Sequence, residues 1–215
     1  MKHIFVILLL SITSVLVAQN SKLPGIWLMT RADMHGETRH PYQLFEFRDD
    51  GTFLAMDMKM GTWKYRQNDQ HIFLKSRRNK DFNGEGRVQK LTADTLIMEK
   101  DGSTFYYRRF CPQKIAQANR ASHLIGKWRL SGTEYPFAVL QFRAPDAFTL
   151  IRSGNGETSQ ESGTWLFDPK ENAVIFIGFS HLLRGKIPLS HLNTTGFTLQ
   201  LPGQTLKAQV LKKQE

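Results

Sequence analysis

Gly61-Thr62-Trp63-Lys64-Tyr65 returns as Gly163-Thr164-Trp165-Leu166-Phe167, 102 positions later. Other stretches return in nearly the same register. Gly25-Ile26-Trp27 answers Gly126-Lys127-Trp128, Leu91 and Leu96 answer Leu192 and Phe197, and Gly102-Ser103-Thr104 answers Gly203-Gln204-Thr205, each at an offset of 101. Self-similarity at one period marks two copies of one structural unit. Phe47 and Phe53 return as Phe142 and Phe148 at an offset of 95. The second copy has therefore lost six residues between its first two strands and gained seven in the polar stretch 153–162, which is read as a loop.

Each copy alternates short β-prone runs with turn signals. Strands are expected at 25–31, 42–48, 52–60, 61–66, 71–76, 87–91, 95–99 and 104–110. The second set is expected at 126–131, 137–143, 147–152, 163–167, 173–179, 185–192, 197–201 and 205–211. Asp49-Asp50-Gly51 and Asp101-Gly102 carry the residues that tight hairpins need. Eight short antiparallel strands favour an up-and-down barrel, because closure removes exposed sheet edges. The expected fold is all-β: two tandem small antiparallel barrels at 22–110 and 123–213. The linker 111–122 is rich in Ala and Gln, which suits one short helix, and it is too short for a free tether, so the units are expected to pack together.

Gly25 and Trp27, then Phe47, Asp50-Gly51 and Phe53, then Gly61-Thr62-Trp63 form an ordered set. It resembles the lipocalin-like domains of bacterial secreted proteins, well over 22–110 and more loosely over the second copy. The resemblance implies a barrel that holds a small apolar molecule, although many of the small bacterial domains have no known ligand. It also implies that a last-strand Arg, Arg108 or Arg109, packs over Trp27 by a cation–π contact. The second copy has Gln209 and Val210 at those places.

The N-terminus reads as a processing signal. Lys2 and His3 precede an apolar run of 14 residues, Ile4 to Val17, too short for a typical membrane-spanning helix, and Ala18-Gln19-Asn20 offers a cleavage region. Residues 1–19 are therefore expected to be removed, leaving an exported, soluble chain with no transmembrane segment. Cys111 is the one cysteine, so no intrachain disulfide forms, and it reads as a small buried hydrophobe. With 29 Lys and Arg against 19 Asp and Glu, the net charge of +10 favours anionic partners such as an envelope component or a protein. Nothing resembles a nucleic-acid recognition element, and none is expected as partner.

An eight-stranded barrel is either filled by its own side chains or holds one small ligand. The expected lining of the first barrel is Trp27, Phe47, Phe53, Met56, Met58, Trp63, Tyr65 and Arg108, with the face of 52–60 unresolved, since Phe53 and Met56 fall on opposite faces. One of Tyr106–Arg108 or Tyr107–Arg109 points inward, and an inward Arg could pair with the carboxylate of an amphipathic ligand. Met56, Met58 and Met60 share a strand face and read as core, as soft ligand lining or as a Cu(I) thioether site with Met34, His35 or His40. The core reading is preferred, and no metal or other cofactor is expected. The polar loop 32–41 and the basic cluster Lys75, Arg77, Arg78 and Lys80 read first as solvated surface. No catalytic motif emerges, so the chain is not read as an enzyme. Two functions remain: a container for a small apolar or amphipathic ligand, or an envelope interaction module with filled barrels.

Overall fold

Two antiparallel sheets each close on themselves. The computed structural model describes residues 22–154, 156–178 and 180–211, so the expected signal at 1–19 lies outside the described residues. The first sheet is built from β1 (Gly25–Met34), β2 (Glu37–Arg39), β3 (Gln43–Phe47), β4 (Thr52–Ala55), β5 (Met58–Arg66), β6 (His71–Ser76), β7 (Gly84–Leu91), β8 (Thr95–Lys100) and β9 (Ser103–Arg109). Pairing of β1 with β9 closes the ring, and β2 is a short flap hydrogen-bonded to the far end of β1. Helix α1 (Pro112–Ala121) follows, with Pro112 in its first turn, where the missing N–H costs nothing. The second barrel is closed by β10 (Gly126–Ser131), β11 (Phe137–Arg143), β12 (Ala147–Gly154), β13 (Glu157–Asp168), β14 (Ala173–Gly178), β15 (Gly185–Ser190), β16 (Gly196–Leu201) and β17 (Gln204–Val210).

Two expected boundaries are corrected. The run 52–60 is not one strand: Met56 and Asp57 both have positive φ, 50° and 63°, and Ala55 pairs directly with Met58. This is a two-residue hairpin turn without the glycine that usually announces one. Met56 offsets the strain by packing between the barrels, where its Sδ accepts the Leu44 N–H at 3.4 Å. The polar stretch 153–162 is not a loop either. It continues β12 and β13 as a ladder in register up to Gly154 opposite Glu157. Alternation of polar residues there reflects strand faces that do not all meet the core.

The repeated anchors turn out to be one set of contacts made twice. Trp27 Nε1 donates to Leu23 O at 2.8 Å, and Trp128 Nε1 donates to Leu124 O at 2.7 Å. Trp63 Nε1 donates to Arg48 O at 3.0 Å, and Trp165 Nε1 to Arg143 O at 3.3 Å. Each indole thus satisfies its polar atom on a backbone carbonyl, Trp27 and Trp128 on the chain entering the barrel and Trp63 and Trp165 at the end of the strand before the next hairpin. The glycine two residues before each anchor Trp is demanded by close approach. A Cβ on Gly61 would stand 1.9 Å from Lys75 O, and one on Gly163 would stand 2.3 Å from Ile177 O and 2.8 Å from Phe148. Gly163→Ala is therefore expected to cost about 1–3 kcal/mol by overpacking, read as a fall in the thermal unfolding midpoint.

The barrels share a third apolar cluster. Leu28, Tyr42 and Phe110 from the first unit meet Leu166, Ile175 and Ile177 from the second, with Ile115 of α1 beside them. The outward face of β1 and β3 is thus covered rather than solvated. Asn119, fully buried in α1, donates to Pro145 O at 2.8 Å and Trp165 O at 3.2 Å and accepts the Phe167 N–H at 2.8 Å. The linker helix is fastened to β13 as an integral part of the second barrel.

Candidate functional site

The strand register gives the first barrel two unlike ends. At one end β1 begins and β9 finishes. There Trp27 is fully buried, and the Arg109 guanidinium lies 3.8 Å from its ring centroid. Arg109 also donates to the carbonyls of Lys22, Pro24 and Ala93, so it locks the incoming chain over the barrel floor. Partial burial pulls its pKa below the ordinary value. Trp63 packs edge-on against Phe47 at 5.6 Å.

The opposite end is open. It is rimmed by the β1–β2 hairpin, the β4–β5 turn, the segment from Arg77 to Asn83 and the β8–β9 turn. Below the rim lies a cavity of about 370 Å³. Phe45, Phe47, Phe53, Phe105 and Tyr107 supply rings, Met29, Met34 and Met98 supply thioethers, and Leu74 completes an apolar wall. A short 3-10 turn, Lys80–Phe82, brings Phe82 across the opening, 5.9 Å from Phe45 and 6.2 Å from Phe53. Lys100 borders the cavity with its ammonium already held by Asp101 and by Asp81 O. Beside the mouth each strand of the flap carries its own ion pair, Arg31–Asp33 at 2.6 Å on β1 and Arg39–Glu37 at 2.7 Å on β2, and Thr38 Oγ1 donates across to Asp33 at 2.8 Å. Hydrogen bonds from Arg31 and then Thr38 hold the Asp33 carboxyl down at about 2.

The eight residues expected to line one pocket are dispersed. Phe47 and Phe53 line the cavity. Trp27 lies in the floor beneath it, and Trp63 belongs to the same closed end. Tyr65 borders a separate polar depression of about 400 Å³ with Lys22, Gln67 and Gln70. Three placements are corrections. Met56 is in the seam between the barrels, because the hairpin turns there. Met58 is 45% exposed on the rim. Arg108 points away from the interior and meets Asp168 of the second barrel at 3.4 Å, because alternation along β9 sends Phe105, Tyr107 and Arg109 inward and Tyr106 and Arg108 outward. The shared face of Met56, Met58 and Met60 does not exist: Met60 is buried in the core, while the other two are elsewhere. The carboxylates of the 32–41 segment are engaged with Arg31 and Arg39, and among the described residues no group of three His, Cys, Asp or Glu side chains could hold a metal ion.

The expected lining leaves out Phe45, Leu74, Phe82 and Phe105, while Met29, Met34 and Met98 enter only through one reading of a methionine-rich unit and Tyr107 only as one of two alternatives on β9. Strict period two on β9 anchored by Arg109 over Trp27 would have found Phe105 and Tyr107. Phe82 has no such signal, since it is carried inward by a loop.

The second barrel spends the same space on side chains. Phe176 stands where the first barrel has Leu74, opposite the anchor Trp in each case, and packs 5.0 Å from Phe148 and 5.8 Å from Phe142. Phe197 replaces Leu96 and lies 4.9 Å from Trp128. Above them the extra length of the β12–β13 hairpin places Arg152 and Glu161 face to face, both nearly buried, with Tyr135 4.6 Å over the guanidinium. Ser180 Oγ and the His181 N–H also donate to Glu161. The first barrel has no equivalent of this plug, because its hairpin turns back at Met56–Asp57.

No family model matches the chain, and the curated proteins give no match. Among solved structures, a lipocalin-like protein from Bacteroides uniformis ATCC 8492 is similar at 18% identity and a TM-score of 0.36, over 42% of this chain and 100% of that one. The closed sheets define the class by themselves: the chain is a tandem of two small antiparallel up-and-down β-barrels. Among the described residues no helix is long and apolar enough to cross a membrane.

Proposed function

We propose that the protein is an exported binding protein that holds one small apolar or amphipathic molecule in its first barrel, with the second barrel as a filled supporting domain. One observation carries the reading: the first barrel keeps a cavity of about 370 Å³ walled by rings and thioethers, where the second has larger rings and an ion pair. That volume falls in the range of small-molecule sites, roughly 300–1,000 Å³. Affinity would come from burial of apolar surface, with methionine side chains adapting to ligand shape. Export rests on the basic start and apolar run of residues 1–19.

The test is a fluorescence titration of the purified protein with N-phenyl-1-naphthylamine, a neutral apolar probe. One saturable site per chain is expected. Leu74→Phe, which installs the second barrel's residue type, should weaken it by about tenfold through overfilling. Absence of saturable binding, or equal binding by the folded variant, would overturn the reading in favour of an interaction module. The observation that favours that second reading is the rim segment itself, where Arg77, Arg78 and Lys80 form no ion pair among the described residues.

A further inference from the structure

The cavity is lined by several polar side chains, Gln43 and Ser103 among them, and one of its enclosing rings, Tyr107, carries a hydroxyl that the fold leaves without a partner. Tyr107 is 6% exposed and lines the cavity wall. Its ring is fixed edge-on against Phe45, with centroids 5.7 Å apart at 90°. Among the described residues its hydroxyl makes no hydrogen bond, yet it is not sealed: the buried side-chain atoms both sealed and unpartnered are His71 Nδ1 and Arg152 Nε. The hydroxyl therefore keeps accessible surface in a residue that is otherwise enclosed. Its depth follows from register. Trp27 pairs with Arg109 at the floor, and Met29 pairs with Tyr107 one layer above.

The barrel does not need this hydroxyl to fold. The pair Met29–Tyr107 of the first barrel corresponds to Leu130–Ala208 of the second, where a methyl group serves. Nor does a free Lys or Arg side chain stand ready beside it among the described residues. Arg108 is outside against Asp168, Arg109 is turned onto Trp27 and three carbonyls, and Lys100 is engaged at the rim with Asp101 and Asp81 O. Burial raises the phenol pKa above its ordinary value, so the group stays a neutral donor.

We propose that Tyr107 selects the inserted end of the ligand, which is a neutral, largely apolar molecule bearing a hydrogen-bond acceptor oxygen such as a ketone or ester, and not a carboxylate inserted head first. The inference rests on the binding reading above. A carboxylate at that depth loses its water with no counter-charge to replace it. A plain hydrocarbon covers the hydroxyl without offering an acceptor, and a polar group buried unpaired is penalised. A neutral acceptor avoids both costs.

Competition against N-phenyl-1-naphthylamine with nonan-2-one, nonane and nonanoate tests this in the wild type and in Tyr107→Phe. The ratio of ketone to alkane affinity is expected to fall roughly tenfold in the variant, while nonane binds at least as well as before. Retained nonane binding shows that the variant's cavity is intact. Nonanoate is expected to be weaker than nonan-2-one in the wild type. An unchanged ratio, or nonanoate as the tightest of the three, would overturn the role of Tyr107 while leaving the binding reading in place. Failure of the probe to enter the wild-type protein would overturn both.

Discussion

Arg152→Met is expected to destabilise the protein by about 3–5 kcal/mol. Arg152 is 8% exposed and pairs with Glu161 inside the mouth of the second barrel. Removing the guanidinium leaves a buried carboxylate with donors from Ser180 Oγ and the His181 N–H but no counter-charge. Two charges taken from water are held by each other, so losing one is far worse than losing both. The double variant Arg152→Met/Glu161→Leu should accordingly recover most of the loss and lie within about 2 kcal/mol of the wild type. Urea unfolding of the two single variants and the double variant gives the coupling directly. A coupling near zero would mean that the pair is solvated and that the mouth is not plugged. Ligand binding to the first barrel should be unaffected in the double variant, since the pair belongs to the other interior.

Asn119→Ala is expected to cost about 3 kcal/mol or more. The side chain satisfies three backbone groups at once: the carbonyls of Pro145 and Trp165 and the N–H of Phe167. Alanine strands all three in a buried place between α1 and β13, and each stranded group costs of the order of 1–3 kcal/mol. Asn119→Asp keeps the acceptor for Phe167 but sets a carboxylate against two carbonyl oxygens, so it should be at least as damaging. Thermal unfolding measures the size of the loss. Limited proteolysis locates it, because a released α1 can unwind and give trypsin the backbone at Lys114 and Arg120, whose side chains are already exposed. A loss below about 1 kcal/mol would show that water replaces the amide at little cost and that the helix is not fastened there.

Why the first barrel is hollow and the second filled is a matter of a few residues. Leu74 and Leu96 against Phe176 and Phe197 change the volume of side chain reaching the axis, and the hairpin that ends at Met56–Asp57 is too short to carry a plug. The seven-residue gain in the second copy was legible as an insertion. Its meaning was not. Counted as polar, the stretch looks like a loop; paired residue by residue, it sends Glu161 inward on the same face as Gly163 and Trp165.

The sequence by itself determined the repeat and the eight strands of each closed ring, though not the short β2, because hydrophobic alternation, turn residues and the recurring Gly-x-Trp anchors are local and appear twice. The resemblance to lipocalin-like domains implied in addition that a last-strand Arg, Arg108 or Arg109, covers Trp27. Which of two neighbouring arginines does so was decided only by the tertiary structure, since a shift of one residue exchanges the faces of a strand. Arg109 turned inward, and with it Tyr107 entered the cavity while Arg108 left it for Asp168. Met56 followed the same logic: nothing local marks a turn that has no glycine, and its side chain is stabilised by a seam between barrels that only the folded pair creates. The site is the product of register and of contacts between distant segments, and those are set by the packing of the whole chain.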